Sequence, residues 1–298
     1  MHASASDELL TLRDLLRYGV SHFQQAELFF GHGTDNAWDE AVYLALHALH
    51  LPADTLEPFL DARLLRAERE RVLKLYQRRI SERLPAPYLT GEAWLRGHRF
   101  NVDQRVIVPR SPIAELLETG LSPWVADPDE VTAVLDMCTG SGCLAILSAL
   151  AFAYAEVDAV DTSSDALAVA RSNVADYGLE DRLALHQSDL FDQLPERTYD
   201  VIISNPPYVN AGSMSELPAE YRREPELALA GGDDGMTLVA RILRDAPRYL
   251  KPEGILVLEI GHERPFFEAA FPQLEPVWLA TEATEDHILL LTREQLSL

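Results

Sequence analysis

Two cysteines, Cys138 and Cys143, are all that 298 residues contain. They cannot build a disulfide framework, and no His or Cys cluster stands beside them at zinc-ligand spacing, so neither a disulfide scaffold nor a metal site is expected. Long apolar runs are lacking too. The longest, Cys143 to Ala155, is too short to span a bilayer, and the first residues lack the basic-then-apolar order of a secretory signal; a cytoplasmic protein with no membrane association is expected. Positive charge is the third scarcity: Lys plus Arg number 25 against 48 Asp plus Glu, a formal net charge of −23. That balance disfavours a surface that tracks phosphates and argues against direct nucleic-acid binding; it serves plain solubility, or recognition of a basic protein partner.

What is present is apolar material, 47% of the chain, enough for one large or two medium cores. From Ser6 to about Leu84 the pattern is helical: Leu9, Leu12, Leu15 and Leu16 repeat at helical spacing, and Leu44, Leu46, Leu49 and Leu51 do so more loosely. Asp54 is expected to cap a helix through Leu56, Phe59, Leu60 and Leu64, with Pro58 tolerated in its first turns. A further helix, Ala67 to Arg83, carries Val72, Leu75, Arg79 and Leu84, and its dense charge reads as a solvated face. Pro85-Ala86-Pro87 then ends the helix and starts an extended connector. Tyr88 to Val108 reads as a β-hairpin turning at Arg96-Gly97-His98, and Ser111 as the cap of a helix Ile113 to Leu121 with Pro112 at its first position.

From Thr132 the pattern alternates strand and helix, which predicts an α/β fold with a doubly wound, mostly parallel sheet. Strands are expected at Ala133 to Leu135, Val157 to Val160, Leu183 to His186, Val201 to Ser204 and Ile255 to Glu259, with a closing pair near Val277 and His287 to Leu291. The implied division is a helical domain at 1–86, a hairpin connector at 87–115 and a catalytic domain at 116–298.

Leu135-Asp136-Met137-Cys138-Thr139-Gly140-Ser141-Gly142 carries a strand end through two glycines into the apolar helix Cys143 to Ala153. With acidic Asp161 after the next strand, this is a nucleotide-binding arrangement in which the carboxylate accepts ribose hydroxyls. The third glycine of the dinucleotide fingerprint is missing, so a nucleoside without phosphates fits better. Asp136 would repel a pyrophosphate and suits the positive sulfonium or ammonium of S-adenosylmethionine. Ser188-Asp189-Leu190, another acidic strand end, is placed beside the adenine.

Ile202-Ile203-Ser204-Asn205-Pro206-Pro207-Tyr208 sets an amide, two prolines and a phenol behind a buried strand, at the edge where open α/β sheets bind ligands. A planar amide or aromatic amine nitrogen is a poor nucleophile because its lone pair is delocalised. An enzyme must hold the two N–H hydrogens in acceptors and aim the lone pair at the methyl. The Asn205 side-chain carbonyl and the Pro206 backbone carbonyl are two such acceptors, the prolines stiffen the loop, and Tyr208 can pack on the planar group.

Together, the Asp136 to Gly142 loop, Asp161, Asp189 and Asn205 to Tyr208 resemble the class I S-adenosylmethionine-dependent methyltransferases that act on planar nitrogens. The helical N-terminal part, Tyr88-Leu89-Thr90-Gly91 and Val108-Pro109-Arg110 extend the resemblance, over essentially the whole chain, to the protein-(glutamine-N(5)) methyltransferase family. Members that modify peptide chain release factors usually carry Pro-Arg-Pro-(Glu/Asp)-Thr-Glu, Gly where this chain has Cys138, and often Trp where it has Leu190. Here the corresponding stretches read Val108-Pro109-Arg110-Ser111-Pro112-Ile113-Ala114-Glu115 and Asp136-Met137-Cys138-Thr139-Gly140-Ser141-Gly142. The chain is more similar to members acting on large-subunit ribosomal protein L-three.

The resemblance implies that Cys138, Thr139, Gly140, Ser141 and Gly142 surround the methionine part, Asp161 the ribose and Leu190 the adenine, with Asn205, Pro206, Pro207 and Tyr208 on the glutamine and Asn205 also bordering the cofactor. Arg110 and Glu115 are assigned to the entrance for cofactor or peptide, with pairing of Arg110 to a nearby carboxylate as the alternative reading. The turn-rich segment Val209 to Asp234 is long enough to cover the site. Cys138 is expected to pack as a small apolar residue, and no histidine is assigned to catalysis. The expected reaction is in-line methyl transfer without metal or covalent enzyme intermediate. Release-factor methylation, adenine-amine methylation of nucleic acid and a non-catalytic cofactor-binding ribosome assembly factor are the alternatives.

Overall fold

Residues three to four apart share one side of a helix, and in the computed structural model, which describes residues 2–297, Leu12, Leu15, Leu16 and Phe23 are all fully buried on such a side. They belong to α2 (Leu12–Gln25), whose N-terminus is closed by a reciprocal capping box between Thr11 and Asp14. Around it stand α1 (His2–Glu8), α3 (Ala37–Leu49), α4 (Arg66–Glu82) and the short α5 (Ala86–Thr90). Leu44 of α3 and Val72 and Tyr76 of α4 complete this core, and the Tyr76 hydroxyl donates to the Ala41 carbonyl at 2.8 Å. Residues up to Ala93 form one compact unit, joined by Leu217–Arg223 from much later in the chain.

That later segment delivers a carboxylate to the inside of the helical unit. Glu220, 1% exposed, accepts from Arg79 Nη1 at 3.2 Å, Arg83 Nη1 at 3.0 Å and the Phe29 N–H at 3.2 Å. Arg79 is itself fully buried, donating Nε to Glu40 at 2.6 Å and Nη2 to the Phe29 carbonyl at 2.8 Å. The reading of α4's charge as a solvated face therefore fails at Arg79, which sits on the inner side because two carboxylates and a carbonyl complete its hydrogen bonds.

Two further elements differ from expectation. The helix through Leu56 to Leu64 is only a single 3₁₀ turn at Glu57–Phe59, because the Leu60 and Ala62 carbonyls are taken by the Arg13 and Leu12 N–H groups, and Asp54 accepts from Thr55 Oγ1 rather than capping. Residues 86–90, expected to be extended, form α5, where Pro87 in the first turn forfeits no intrahelical bond. The hairpin follows as β1 (Glu92–Leu95) and β2 (His98–Asn101), with Arg96 and Gly97 both at positive φ in the two-residue turn. The second compact unit comprises Trp94–Glu216 and Glu224–Leu298, so the 87–115 segment is divided between the two units.

The second unit is built on the doubly wound sheet that the strand–helix alternation predicts. Its strands are β3 (Ala133–Met137), β4 (Glu156–Asp161), β5 (Leu183–Gln187), β6 (Tyr199–Ser204), β7 (Leu250–Glu259), β8 (Val277–Leu279) and β9 (Ile288–Thr292), in the order β5-β4-β3-β6-β7-β9-β8. β9 pairs antiparallel with β7 and β8; the remaining pairs are parallel. The helices are α6 (Ile113–Glu118), α7 (Cys143–Ala151), α8 (Ser164–Asp176), α9 (Ala211–Glu216), α10 (Thr237–Tyr249), α11 (Arg264–Ala270) and α12 (Arg293–Leu296). Alternate strand residues feed two cores: Val134, Val157, Ile203 and Val257 join α7 on one face, while Leu135, Ile202 and Leu256 join α10 on the other. No helix among the described residues is long and apolar enough to cross a membrane.

The buried ion cluster yields a stability prediction. Arg79→Ala strips Glu40 and Glu220 of their shared cation and should cost about 3–5 kcal/mol, as removal of one member of a buried pair does. Urea unfolding measures it; a loss below about 1 kcal/mol would show that the cluster is not stabilising the helical unit.

Candidate active site

Prolines donate no ladder hydrogen bond, so β6 must end at Ser204, where Pro206 and Pro207 turn the chain out of the sheet. Its neighbour β3 ends in register with it, Met137 opposite Ser204, and Ser204 Oγ donates to the Met137 carbonyl at 2.8 Å. The order in which strands are added reverses here, because β3 leads outward to β4 and β5 on one side while β6 and β7, parallel to it, are added on the other. Such a switch point leaves a crevice at the carboxyl ends of the strands. A cavity of about 340 Å³ lies there.

Cys138, Gly140, Asp161, Asp189, Leu190 and Asn205 line that cavity, and so does Pro207. Cys138 and Leu190 hold positive φ, 64° and 54°, a strained conformation for side-chain-bearing residues and one concentrated at functional sites. Asp161 ties the turns together, accepting from the Gly140 N–H and the Ser163 N–H at 2.9 Å each, and burial holds its carboxyl above the ordinary range. Asp189 pairs with Arg241 at 2.9 Å. The Cys138 thiol is pushed well up by burial and by the Asp161 and Asp136 carboxylates, which fits packing and not nucleophilic use.

The remaining expected residues stand off the cavity wall. Asp136, Thr139 and Ser141 are buried within the turn, with Thr139 Oγ1 donating to Asp136 at 2.5 Å and Asn173 Nδ2 to the Ser141 carbonyl at 2.8 Å. Gly142 starts α7. Pro206 is buried, and half-buried Tyr208 donates its hydroxyl to Glu259 at 3.0 Å. Of the two residues assigned to the entrance, Arg110 forms a two-pronged pair with Glu224, at 2.7 and 2.9 Å, as its alternative reading has it. Glu115 is not among the residues lining the cavity and accepts the Glu282 N–H at 2.9 Å.

Pro225, Leu227 and Ala228, from the segment expected to cover the site, form one wall of the cavity; the lining groups with no assignment in the sequence are Arg105, Val106 and Ile107 on another wall and Leu238 and Arg241 from α10. Glu224 links the first two walls. Fully buried at its side chain, it accepts the Val108 N–H at 2.9 Å in addition to Arg110. Its partner Arg110 lies 114 residues earlier in the chain, a separation that spacing in the sequence does not reveal.

The donor set suits S-adenosylmethionine. Apolar Val106, Val160, Ala166 and Leu238 offer walls to a flat ring, Asp161 offers a carboxylate for a diol, and one wall is a backbone turn open to close approach. Asp136, 1% exposed at the end of β3, has one carboxylate oxygen, Oδ1, with no hydrogen-bond partner among the described residues. Asp136 lies behind the lining residues Met137 and Cys138, and a buried carboxylate there is stabilised by a nearby positive charge, which the sulfonium and ammonium of this cofactor supply.

The methyltransferase small domain family matches residues 123–219. The chain is 69% identical to a ribosomal protein uL3 glutamine methyltransferase from Bordetella pertussis, covering 100% of both chains, and 61% identical to one from Burkholderia pseudomallei, covering 96% of this chain and 95% of that one. Among solved structures it is similar to a methyltransferase from Pyrococcus furiosus, at 19% identity and a TM-score of 0.48, over 67% of this chain and 90% of that one.

Burial pushes the Asp136 carboxyl up to about 7, against the hydrogen bond from Thr139. Below that pH it holds a proton, and a bound cation favours the carboxylate. Binding of S-adenosylmethionine should therefore release a proton, and its affinity should be roughly tenfold weaker at pH 6 than at pH 8. Calorimetry across that range checks this; Asp136→Asn should bind weakly with no such slope, and an equal slope in both proteins would remove Asp136 from the site.

Proposed function

The chain belongs to the ribosomal protein uL3 glutamine methyltransferases, and from that membership we propose that it methylates the side-chain amide nitrogen of a glutamine in uL3, with the Asn205-to-Tyr208 loop holding that amide. The observation that carries the reading is the meeting of two strand ends: Asn205 and Pro207 line the same cavity as Cys138, Gly140 and Asp161. When bound there, S-adenosylmethionine supplies an electrophilic methyl group.

The chain's own residues do the positioning. Asp136 offsets the cofactor's positive charge, Asp161 accepts from the ribose, and Asp189 and Leu190 border the adenine. On the acceptor side, the Asn205 side-chain carbonyl and the Pro206 backbone carbonyl take the two N–H hydrogens of the glutamine amide, which orients the nitrogen lone pair. Pro206 and Pro207 hold those acceptors in place before substrate arrives, so little ordering remains to be done at the moment of reaction. The amide nitrogen becomes more acidic as it gains the methyl, so its extra proton leaves to solvent without a dedicated strong base.

The formal charge of −23 suits a basic ribosomal protein met in the cytoplasm, and long-range attraction should speed the encounter. It suits a nucleic acid poorly, and a non-catalytic assembly factor would have no use for Asn205.

Mass spectrometry of uL3 incubated with the protein and S-adenosylmethionine should show one added methyl on a glutamine. Asn205→Ala should keep cofactor affinity within about threefold and lose about a hundredfold in turnover, the scale of a misplaced reactant; loss of cofactor binding instead would move Asn205 to the cofactor's side. Binding of uL3 should weaken as salt is raised from 50 to 500 mM (concentrations chosen to span roughly 14 to 4 Å of screening length), and a flat response would remove the charge argument.

A further inference from the structure

Glu259 ends β7 with its carboxylate buried, 5% of the residue exposed, beside the strand that carries the Asn205-to-Tyr208 loop. A carboxylate at such a depth is costly unless its oxygens are occupied. One oxygen accepts a short hydrogen bond from Ser111 Oγ and the other accepts from the Tyr208 hydroxyl at 3.0 Å. The carboxyl remains raised above its ordinary range by burial, with Ser111, Tyr208 and Arg110 each opposing that rise.

The backbone around Tyr208 is shaped to the same end. A Cβ added at Gly261, two residues past Glu259, would come within 2.5 Å of the Tyr208 ring, and one at Gly235 within 2.1 Å of the Tyr208 carbonyl oxygen. Both glycines hold positive φ, 53° and 79°. Backbone thus closes on Tyr208 from its ring side and from its carbonyl side, at distances that only glycine permits. A tethered hydroxyl and a backbone wall leave the ring one orientation. Pro207 lines the cofactor cavity and Tyr208, next in the chain, does not; on the function proposed above, Tyr208 faces the acceptor.

We propose that Glu259 is a positioning residue of methyl transfer: by holding the Tyr208 hydroxyl it fixes the ring plane against which the planar amide is stacked. This rests on the function proposed above. Glu259 touches neither cofactor nor amide; it acts through Tyr208, and Ser111 steadies it in turn. Pre-set orientation of this kind raises the rate of the chemical step more than it raises affinity.

A double-mutant cycle tests it. Glu259→Gln and Tyr208→Phe should each lower kcat about tenfold, with KM for uL3 and the calorimetric Kd for S-adenosylhomocysteine within about threefold of wild type. The double variant should lie within about twofold of the slower single variant. Losses that multiply to about a hundredfold, an unchanged kcat in Glu259→Gln, or a loss of S-adenosylhomocysteine binding would each overturn the proposal. If Glu259→Gln melts below the assay temperature, Tyr208→Phe decides alone, since wild-type kcat without the hydroxyl leaves the carboxylate nothing to hold. The cycle is read on whichever acceptor the wild-type protein methylates. A wild-type protein that modifies adenine and no glutamine overturns the function proposed above, whereas independent losses overturn the role of Glu259.

Discussion

Everything at the candidate site depends on β3 and β6 lying side by side and stopping together. Their pairing runs Val134 to Val201 through Met137 to Ser204, and the Ser204 hydroxyl fastens the last rung to the Met137 carbonyl. Because β3 then turns through Cys138 to Gly140 while β6 is forced out by Pro206, a turn open to a cofactor and a loop of carbonyl acceptors leave the sheet at the same level. A slip of one residue between the strands would reverse which side chains face each core, and the filled packing of Leu135, Ile202 and Leu256 beside α10 resists that slip. The chemistry of the site is thus fixed by hydrophobic burial beneath it.

Above the strands, position is set by buried carboxylates. Glu224 gathers the Val108 N–H and the Arg110 guanidinium, so the wall at 105–107 and the wall at 225–228 share one anchor. Asp161 gathers the Gly140 and Ser163 N–H groups. Glu220, a few residues before Glu224, is spent inside the helical unit on Arg79 and Arg83. The net charge of −23 is therefore not all surface charge: a part of it organises loops by collecting donors that would otherwise be buried without partners.

Which of these features could be read from the chain follows from how local their causes are. The strand–helix alternation is a matter of neighbouring residues, and the doubly wound sheet came from it. The Asn205-to-Tyr208 loop was legible for the same reason, since proline's missing donor ends a strand whatever surrounds it. The helix expected through Leu56 to Leu64 failed because distant Leu12 and Arg13 claim its carbonyls. Glu224 and Glu259 went unnoticed because their partners lie 114 to 116 and 51 to 148 residues away. Arg79 looked like one more exposed charge on α4 until Glu40 and Glu220 met it.

The central claim is that the loop after β6 presents a glutamine amide to the turn after β3. Its most direct test is a crystal structure of the protein with S-adenosylhomocysteine and a glutamine-bearing uL3 peptide. The glutamine side chain is expected on the Asn205–Tyr208 loop, its nitrogen within hydrogen-bond distance of the Asn205 side-chain oxygen and the Pro206 carbonyl, with the nucleoside against Asp161 and Leu190. A peptide bound with its glutamine away from that loop, or a nucleoside seated outside the cavity that Asp161 lines, would contradict it.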